Sequence, residues 1–123
     1  MAALTDLAEL FAGSERPAGN LLSPEDILAQ AVAATRMYAG YGKLSTPPDG
    51  DIGAYTVVSV SEWAVIRPLF LLYVERENAL QLEASRGLGV DVFGRDSVSV
   101  AADIMQAEME LPVKAFCRPI LTV

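Results

Sequence analysis

The strongest constraint on the fold of this chain is one long apolar pattern with helical spacing, from about Glu62 to Arg86. Ser61 is a suitable N-cap, and Gly87 and Gly89 are suitable stops. Pro68 falls inside the pattern and predicts a kink or a restart. At 1.5 Å per residue such a helix is roughly 37 Å long, which indicates a central helix that also packs against neighbouring chains. Its apolar members lie close to one stripe: Ile66, Leu69, Phe70, Tyr73, Leu80 and Ala84.

A second helix is marked at both of its ends. Ser23 is a suitable N-cap, and Pro24 fits the first helical position. Glu25 and Asp26 place negative charge at the positive end of the helix dipole, and Gly40 is a suitable stop. These signals predict a helix between Ser23 and Gly40. Its apolar face consists of Ile27, Leu28, Ala31, Val32, Ala34 and Tyr38.

Two further helices complete the helical part of the prediction. Residues 3–11 indicate a short helix near the start of the chain. A last helix is expected from Ser97 or Ser99 to about Leu111, because Pro112 ends or bends it. The apolar members of this last helix are Ala101, Ile104, Met105, Ala107 and Met109.

The segments between and after the helices are irregular or β-prone. Residues 41–53 are rich in Gly and Pro and predict a long loop, of the kind that is often functional. Residues 54–60 are rich in β-branched side chains and predict an extended segment. The tail, residues 113–123, is apolar and β-prone. Residues 1–123 therefore predict one mainly α domain: a small helical bundle with a long central helix, this loop, a short β-prone segment and a C-terminal tail.

The composition fits one globular domain and argues against several functions. The 123 residues are 52% hydrophobic, which argues against disorder. The net charge is −7 and no Lys/Arg cluster occurs, so specific nucleic-acid binding is disfavoured and solubility is the simplest meaning of the acidity. No uncharged apolar run reaches the ~18–20 residues that span a bilayer, and the basic start of a secretory signal is missing. The single Cys117 fits a reducing cytoplasm.

Residue types that usually build active sites are scarce in this sequence. The absence of His removes the common general base, the Ser-His and Cys-His nucleophile pairs and the commonest transition-metal ligand. Asp103 and Glu110 share a face of the last helix and could in principle form a Mg²⁺ site or an acid/base pair. A solvated helix face explains them better. We therefore predict no catalytic residue, no cofactor and no metal site.

Several apolar and aromatic residues are candidates for contacts with other chains. Trp63 belongs to an aromatic group with Phe70 and Tyr73, for which core packing is the first interpretation and an interface the second. Tyr38 and Tyr41 flank Gly40, where core and interface fit the sequence equally well. The tail suits either β-addition to a neighbouring chain or packing along its own helices. The interface hypothesis names Tyr41, Pro47, Pro48, Trp63, Phe116, Arg118, Ile120 and Val123.

Residues 61–89 resemble a known family. The Glu62-Trp63 start, the Arg67-Pro68-Leu69 sequence and the run from Tyr73 to Glu77 are similar to the small head-to-tail connector proteins of tailed bacteriophages and prophages, also called adaptor or head-completion proteins. The order of elements is similar as well, over about residues 23–123. The helix before residue 20 has no counterpart in this resemblance.

The resemblance implies a structural virion protein of the neck, assembled in the cytoplasm of the host bacterium. Such connectors form a ring, commonly of twelve copies, beneath the portal protein, and they present a docking surface to a tail terminator or collar protein. The ring extends the channel through which genome DNA passes, without binding it specifically. No membrane contact is implied.

Two other interpretations remain open on the sequence alone. One is a cytoplasmic helical subunit or regulator of a bacterial complex, which the helical pattern and the missing active site fit equally. The other is a small Mg²⁺-dependent hydrolase that uses Glu and Asp alone. The mass of the protein in solution would separate a subunit or regulator from a ring-forming connector. Thermal stabilisation by added metal would support the hydrolase.

Overall fold

The computed structural model describes residues 2–15, 20, 22–41, 44, 52–84 and 97–121, with side chains in the last range described for 98–113. The fold in this part of the chain is mainly helical, so the predicted fold class is confirmed. In chain order the elements are β1 (Ala2–Ala3), α1 (Leu4–Leu10), a π-helical turn (Phe11–Glu15), α2 (Pro24–Ala39), β2 (Val57–Val58), α3 (Val60–Ala84) and α4 (Ser97–Leu121).

Helix α2 begins and ends where its local signals predict. The backbone N–H of Asp26 donates to Ser23 Oγ at 3.2 Å, which makes Ser23 the N-cap, and Pro24 occupies the first turn. At the other end the N–H of Gly40 donates to the carbonyl of Arg36 at 3.2 Å. Both boundaries rest on contacts between residues close in sequence, which is why the sequence suffices to locate them.

Helix α3 begins two residues earlier than predicted, and its N-cap is Ser59 rather than Ser61. The N–H of Glu62 donates to Ser59 Oγ at 3.2 Å, and the N–H of Ser59 donates to Glu62 Oε1 at 2.7 Å. This reciprocal pair is a capping box, in which each side chain satisfies a backbone donor of the other residue. Glu62 is fully buried in this arrangement. The predicted end of the helix, at Arg86 and the glycines after it, lies outside the described residues.

Helix α3 is the centre of the bundle, because it packs against both α2 and α4. The first part of the predicted stripe is buried, but Leu80 and Ala84 are exposed. Asn78, Ala79 and Leu82 are buried in their place. A helix covered from two sides buries more than one stripe, so a single-stripe prediction fails towards its end.

Helix α3 continues through Pro68 without a restart. Proline removes one helical hydrogen bond, to the carbonyl of Ala64, and typically costs ~3 kcal/mol inside a helix. Both Pro68 and Ala64 are exposed. Water can therefore hydrogen-bond to the freed carbonyl, while the opposite side of the helix keeps its contacts with the core.

Helix α4 runs to Leu121, which corrects two predictions at the C-terminus. Pro112 does not end it, and the tail predicted to be β-prone is helical over 113–121. A helix satisfies its backbone hydrogen bonds internally, whereas a strand needs a partner edge, and the sheet within the described residues has only two residues in each strand. The β-prone conformation predicted for the tail, which includes Phe116, Arg118 and Ile120, is therefore wrong. Val123 lies outside the described residues.

The small sheet ties the N-terminus to the start of α3. Ala2 pairs with Val58 and Ala3 with Val57 in an antiparallel register. The N–H of Leu4 extends the contact by donating to the carbonyl of Thr56 at 2.9 Å. The predicted extended segment, residues 54–60, is thus a strand only at its centre.

One apolar core joins the four helices that are described. Its members from α1, α2 and the segments around them are Leu4, Ala8, Phe11, Leu22, Ile27, Ala31, Ala34, Tyr38 and Leu44. Its members from β2, α3 and α4 are Val58, Ile66, Leu69, Phe70, Tyr73, Val74, Val100, Ile104 and Leu111. Leu44 shows that the predicted loop sends at least one side chain into this core, whereas Pro47 and Pro48 lie outside the described residues. None of the helices in the described part is both long and apolar enough to cross a membrane.

Candidate docking groove and exposed helix face

An open groove lies between the C-terminal part of α2 and the middle of α3, with a volume of about 590 Å³. We call it the α2–α3 groove. Its rim includes Tyr41, which follows the stop of α2 and is 52% exposed, whereas Tyr38 is 1% exposed in the core. Of the two tyrosines that flank Gly40, Tyr41 therefore lies at the surface and Tyr38 lies in the core. The groove is lined by Ala33, Arg36, Met37, Gly40, Tyr41, Tyr73 and Arg76.

Tyr73 links the groove to α4. Its hydroxyl donates to Glu108 Oε2 across the α3–α4 contact, and the guanidinium of Arg76 lies over its ring, 5.1 Å from the centroid. Burial raises the pKa of Tyr73 far above its ordinary value, the hydrogen bond to Glu108 and its negative charge raise it further, and Arg76 partly offsets them. The hydroxyl therefore stays protonated and acts as a fixed donor between the two helices.

Positive charge converges on this groove. The basic side chains that the structure describes are Arg36, Arg67 and Arg76. Arg67 pairs with Glu15 at 3.3 Å. Arg36 donates to the carbonyl of Ile52 at 3.1 Å. Among the described residues, no carboxylate forms an ion pair with Arg36 or Arg76, so both guanidinium groups keep N–H donors for another partner.

The outer side of α4 carries a row of exposed apolar side chains, which we call the α4 outer row. Its four large members are between 64% and 77% exposed. Their spacing places them on one side of the helix, opposite the buried Val100, Ile104 and Leu111. The row consists of Val98, Ala102, Met105, Met109 and Val113.

The apolar members that the sequence indicates for the last helix lie on different sides of α4. Met105, Met109 and Ala101 are exposed, whereas Ile104 is buried and Ala107 is half-buried. This helix has apolar residues on two sides, and the contact with α3 decides which side is buried. Spacing within one helix does not contain that information.

Trp63 is half-buried and packs against the core. Its ring lies 5.3 Å from that of Phe70, which in turn makes an edge-to-face contact with Phe11 at 5.3 Å. The predicted aromatic group therefore exists for Trp63 and Phe70, and it extends to the N-terminal π-helical turn.

The predicted carboxylate pair on α4 lies on the solvent side of the helix. Asp103 and Glu110 are both exposed, and Glu110 Oε1 accepts a hydrogen bond from Gln106 Nε2 at 3.0 Å. Within the described residues no group of three or more His, Cys, Asp or Glu side chains is placed to hold a metal ion.

Sequence reasoning missed two features of this surface. Arg36 and Arg76 lie far apart in the chain, and no local pattern brings them together. The capping box of α3 could have been found, because Ser59 and Glu62 have the S-x-x-E spacing of that motif.

Comparison of the chain with models of known protein families, with curated proteins and with solved structures found no match.

Proposed function

We propose that this chain is a structural assembly subunit, and specifically a head-to-tail connector of a tailed bacteriophage. The observation that carries the proposal is the α4 outer row. Large apolar side chains that are exposed in a contiguous row cost free energy in water and mark surfaces that bind other proteins. Asp103 and Glu110 lie among the other exposed side chains of α4 and give the row an acidic border. This combination of an apolar row with a charged border is typical of a helix that docks onto a partner.

The more specific part of the proposal rests on the resemblance of residues 61–89. In that role the chain forms a ring, of about twelve copies as the resemblance implies, beneath a portal protein. It offers a further surface to a tail terminator or collar protein. Genome DNA passes through the ring without specific binding, which suits a chain of net charge −7. The assembled protein belongs to the neck of the virion, after assembly in the cytoplasm of the host.

The same α4 outer row supports a second candidate, a helical subunit or regulator of a bacterial complex. Both candidates bind another protein through this row, and they differ in the assembly that results. A connector forms closed rings or assembles on a portal, because repeated head-to-tail contacts close into a ring. A regulatory subunit forms a complex of small, fixed stoichiometry. Native mass spectrometry of the full chain with its co-purified partners separates the two.

Replacement of the two exposed methionines of α4 tests the proposal. The double variant Met105→Gln, Met109→Gln should melt close to the wild type, because both side chains are exposed in the monomer. It should fail to assemble on the portal protein of the same phage, and particles should lack tails. Asp103→Asn is the matched control, since it changes an exposed α4 side chain off the row. Normal particles from the double variant would contradict the proposed role of the row.

A further inference from the structure

We propose that the α2–α3 groove binds an acidic peptide segment of a partner protein, whose carboxylates are held by Arg36 and Arg76. The inference does not rest on the connector role. It begins with charge: a chain of net charge −7 places two of its three described basic side chains at one groove. The third, Arg67, is paired with Glu15 elsewhere. The groove is thus a local positive site on an acidic molecule, which selects an anionic ligand.

The two guanidinium groups are able to donate hydrogen bonds to carboxylates. A guanidinium has five N–H donors, and the hydrogen bond from Arg36 to the carbonyl of Ile52 uses its Nη2 alone. The guanidinium carbon of Arg76 lies 5.1 Å from the centroid of the Tyr73 ring, and this cation–π contact does not use up its N–H donors. A guanidinium can form two parallel hydrogen bonds to one carboxylate.

The remaining lining favours a peptide. Met37, Ala33 and the exposed ring of Tyr41 offer apolar contacts beside the charges, which suits a segment that alternates acidic and apolar side chains. The volume of about 590 Å³ falls in the range of ordinary ligand sites and is large enough for a short peptide segment. Glu108 lies behind Tyr73 and accepts a hydrogen bond from its hydroxyl. Because this carboxylate repels other carboxylates, those of the ligand must lie beside the two arginines.

A nucleic acid fits the groove less well. Affinity for a phosphate backbone comes from neutralising several phosphates in a row, and proteins that do so make about 6–10 such contacts. Two guanidinium groups on a chain of net charge −7 cannot supply them. One or two carboxylates of a peptide match the two guanidinium groups in number.

The test is a titration of the ¹⁵N-labelled full chain followed by two-dimensional NMR. The probe is a pool of short acetylated and amidated peptides, with Glu or Asp at two positions and Leu, Phe or Ala at the others. The same pool with Gln and Asn in place of Glu and Asp is the neutral control. The acidic pool should shift the backbone signals of Gly40 and Tyr41 and the side-chain signals of the groove arginines, whereas the neutral pool should not.

Three variants assign the binding to the groove. Arg36→Gln and Arg76→Gln should each raise the apparent Kd about tenfold or more, since each removes charged hydrogen bonds. Arg67→Gln removes the same charge from the same helix as Arg76 but away from the groove, and should change the Kd by less than about twofold. All three should melt near the wild type, because none of these side chains is buried.

Four outcomes would overturn the proposal. These are no groove shift with the acidic pool at millimolar concentration, equal shifts with the neutral pool, and an equal loss of affinity in Arg67→Gln. The fourth is a response to inorganic phosphate or to a short oligouridylate RNA without a response to the acidic pool, which would assign the groove to phosphate groups.

Discussion

Helices α3 and α4 have the same length, 25 residues, and both continue through proline, yet their environments differ. Helix α3 lies between α2 and α4, so its own chain covers it on two sides. Helix α4 is covered on the side that faces α3 and leaves the α4 outer row exposed. Similar apolar content therefore has two uses in these helices. In α3 it holds the domain together, and in α4 a part of it, the α4 outer row, is exposed.

The largest effect is expected at the aromatic centre of α3. Phe70 is buried between the rings of Trp63 and Phe11. Phe70→Ala removes both ring contacts and leaves a cavity, and should lower the free energy of unfolding by about 3–5 kcal/mol. Urea denaturation measures the change. A loss below ~1 kcal/mol would show that α3 is not the centre of the core.

The two sides of α4 provide the second and most direct form of the comparison. Ile104→Ala, on the buried side, should cost about 2–5 kcal/mol of unfolding free energy. Met105 follows Ile104 directly and belongs to the α4 outer row. Met105→Ala should therefore lower the free energy of unfolding of the monomer by less than ~0.5 kcal/mol. Equal losses in denaturation of the monomer would contradict the assignment of the two sides.

The same contrast explains how much of this fold the sequence could predict. The boundaries of α2 are visible because Ser23, Pro24 and Gly40 act on backbone groups close to themselves. Which side of α4 is buried depends on α3, so the positions of Ile104 and Met105 could not be told apart by spacing within one helix. The sequence does not reveal the helical conformation of 113–121, because proline and β-branched residues disfavour a helix locally, whereas the lack of a strand partner is a property of the whole fold.

The candidate sites were less predictable than the fold. Trp63 and Tyr41 were singled out as aromatic residues, and the structure places one against the core and the other at the groove rim. The two arginines of the groove carry no local signal at all, because only the packing of α2 on α3 brings them together. Charge that converges through tertiary contacts is invisible to a search for clusters along the chain.

A smaller effect is expected at the start of α3, where two serines compete for the role of N-cap. Ser59→Ala removes the acceptor of the Glu62 N–H and should cost about 1 kcal/mol. Ser61→Ala is the matched control: this serine lies inside the helix, is exposed and contacts the cap through the 3.2 Å hydrogen bond between its hydroxyl and Ser59 Oγ, so its replacement should cost less than that of Ser59. Thermal melting of both variants decides which serine is the cap, and a larger loss in Ser61→Ala would restore the assignment made from the sequence.

A loss of similar size is expected where the two compared helices meet, at the hydrogen bond between Tyr73 and Glu108. Tyr73→Phe removes the donor and leaves the half-buried carboxylate without it, and should cost about 1 kcal/mol at neutral pH.

The effect of Tyr73→Phe should depend on pH in one direction. The pKa of Tyr73 is raised in the folded state, so the unfolded state loses its proton first as the pH increases. The stabilisation from this group is therefore complete below the ordinary tyrosine pKa of about 10 and decreases as the pH rises above it. Thermal melting at a series of pH values should show a constant difference between wild type and Tyr73→Phe up to that point, and a shrinking difference beyond it. The other tyrosines titrate in both proteins and cancel in the difference. A difference that grows above this pH would mean that the phenolate, rather than the phenol, joins α3 to α4.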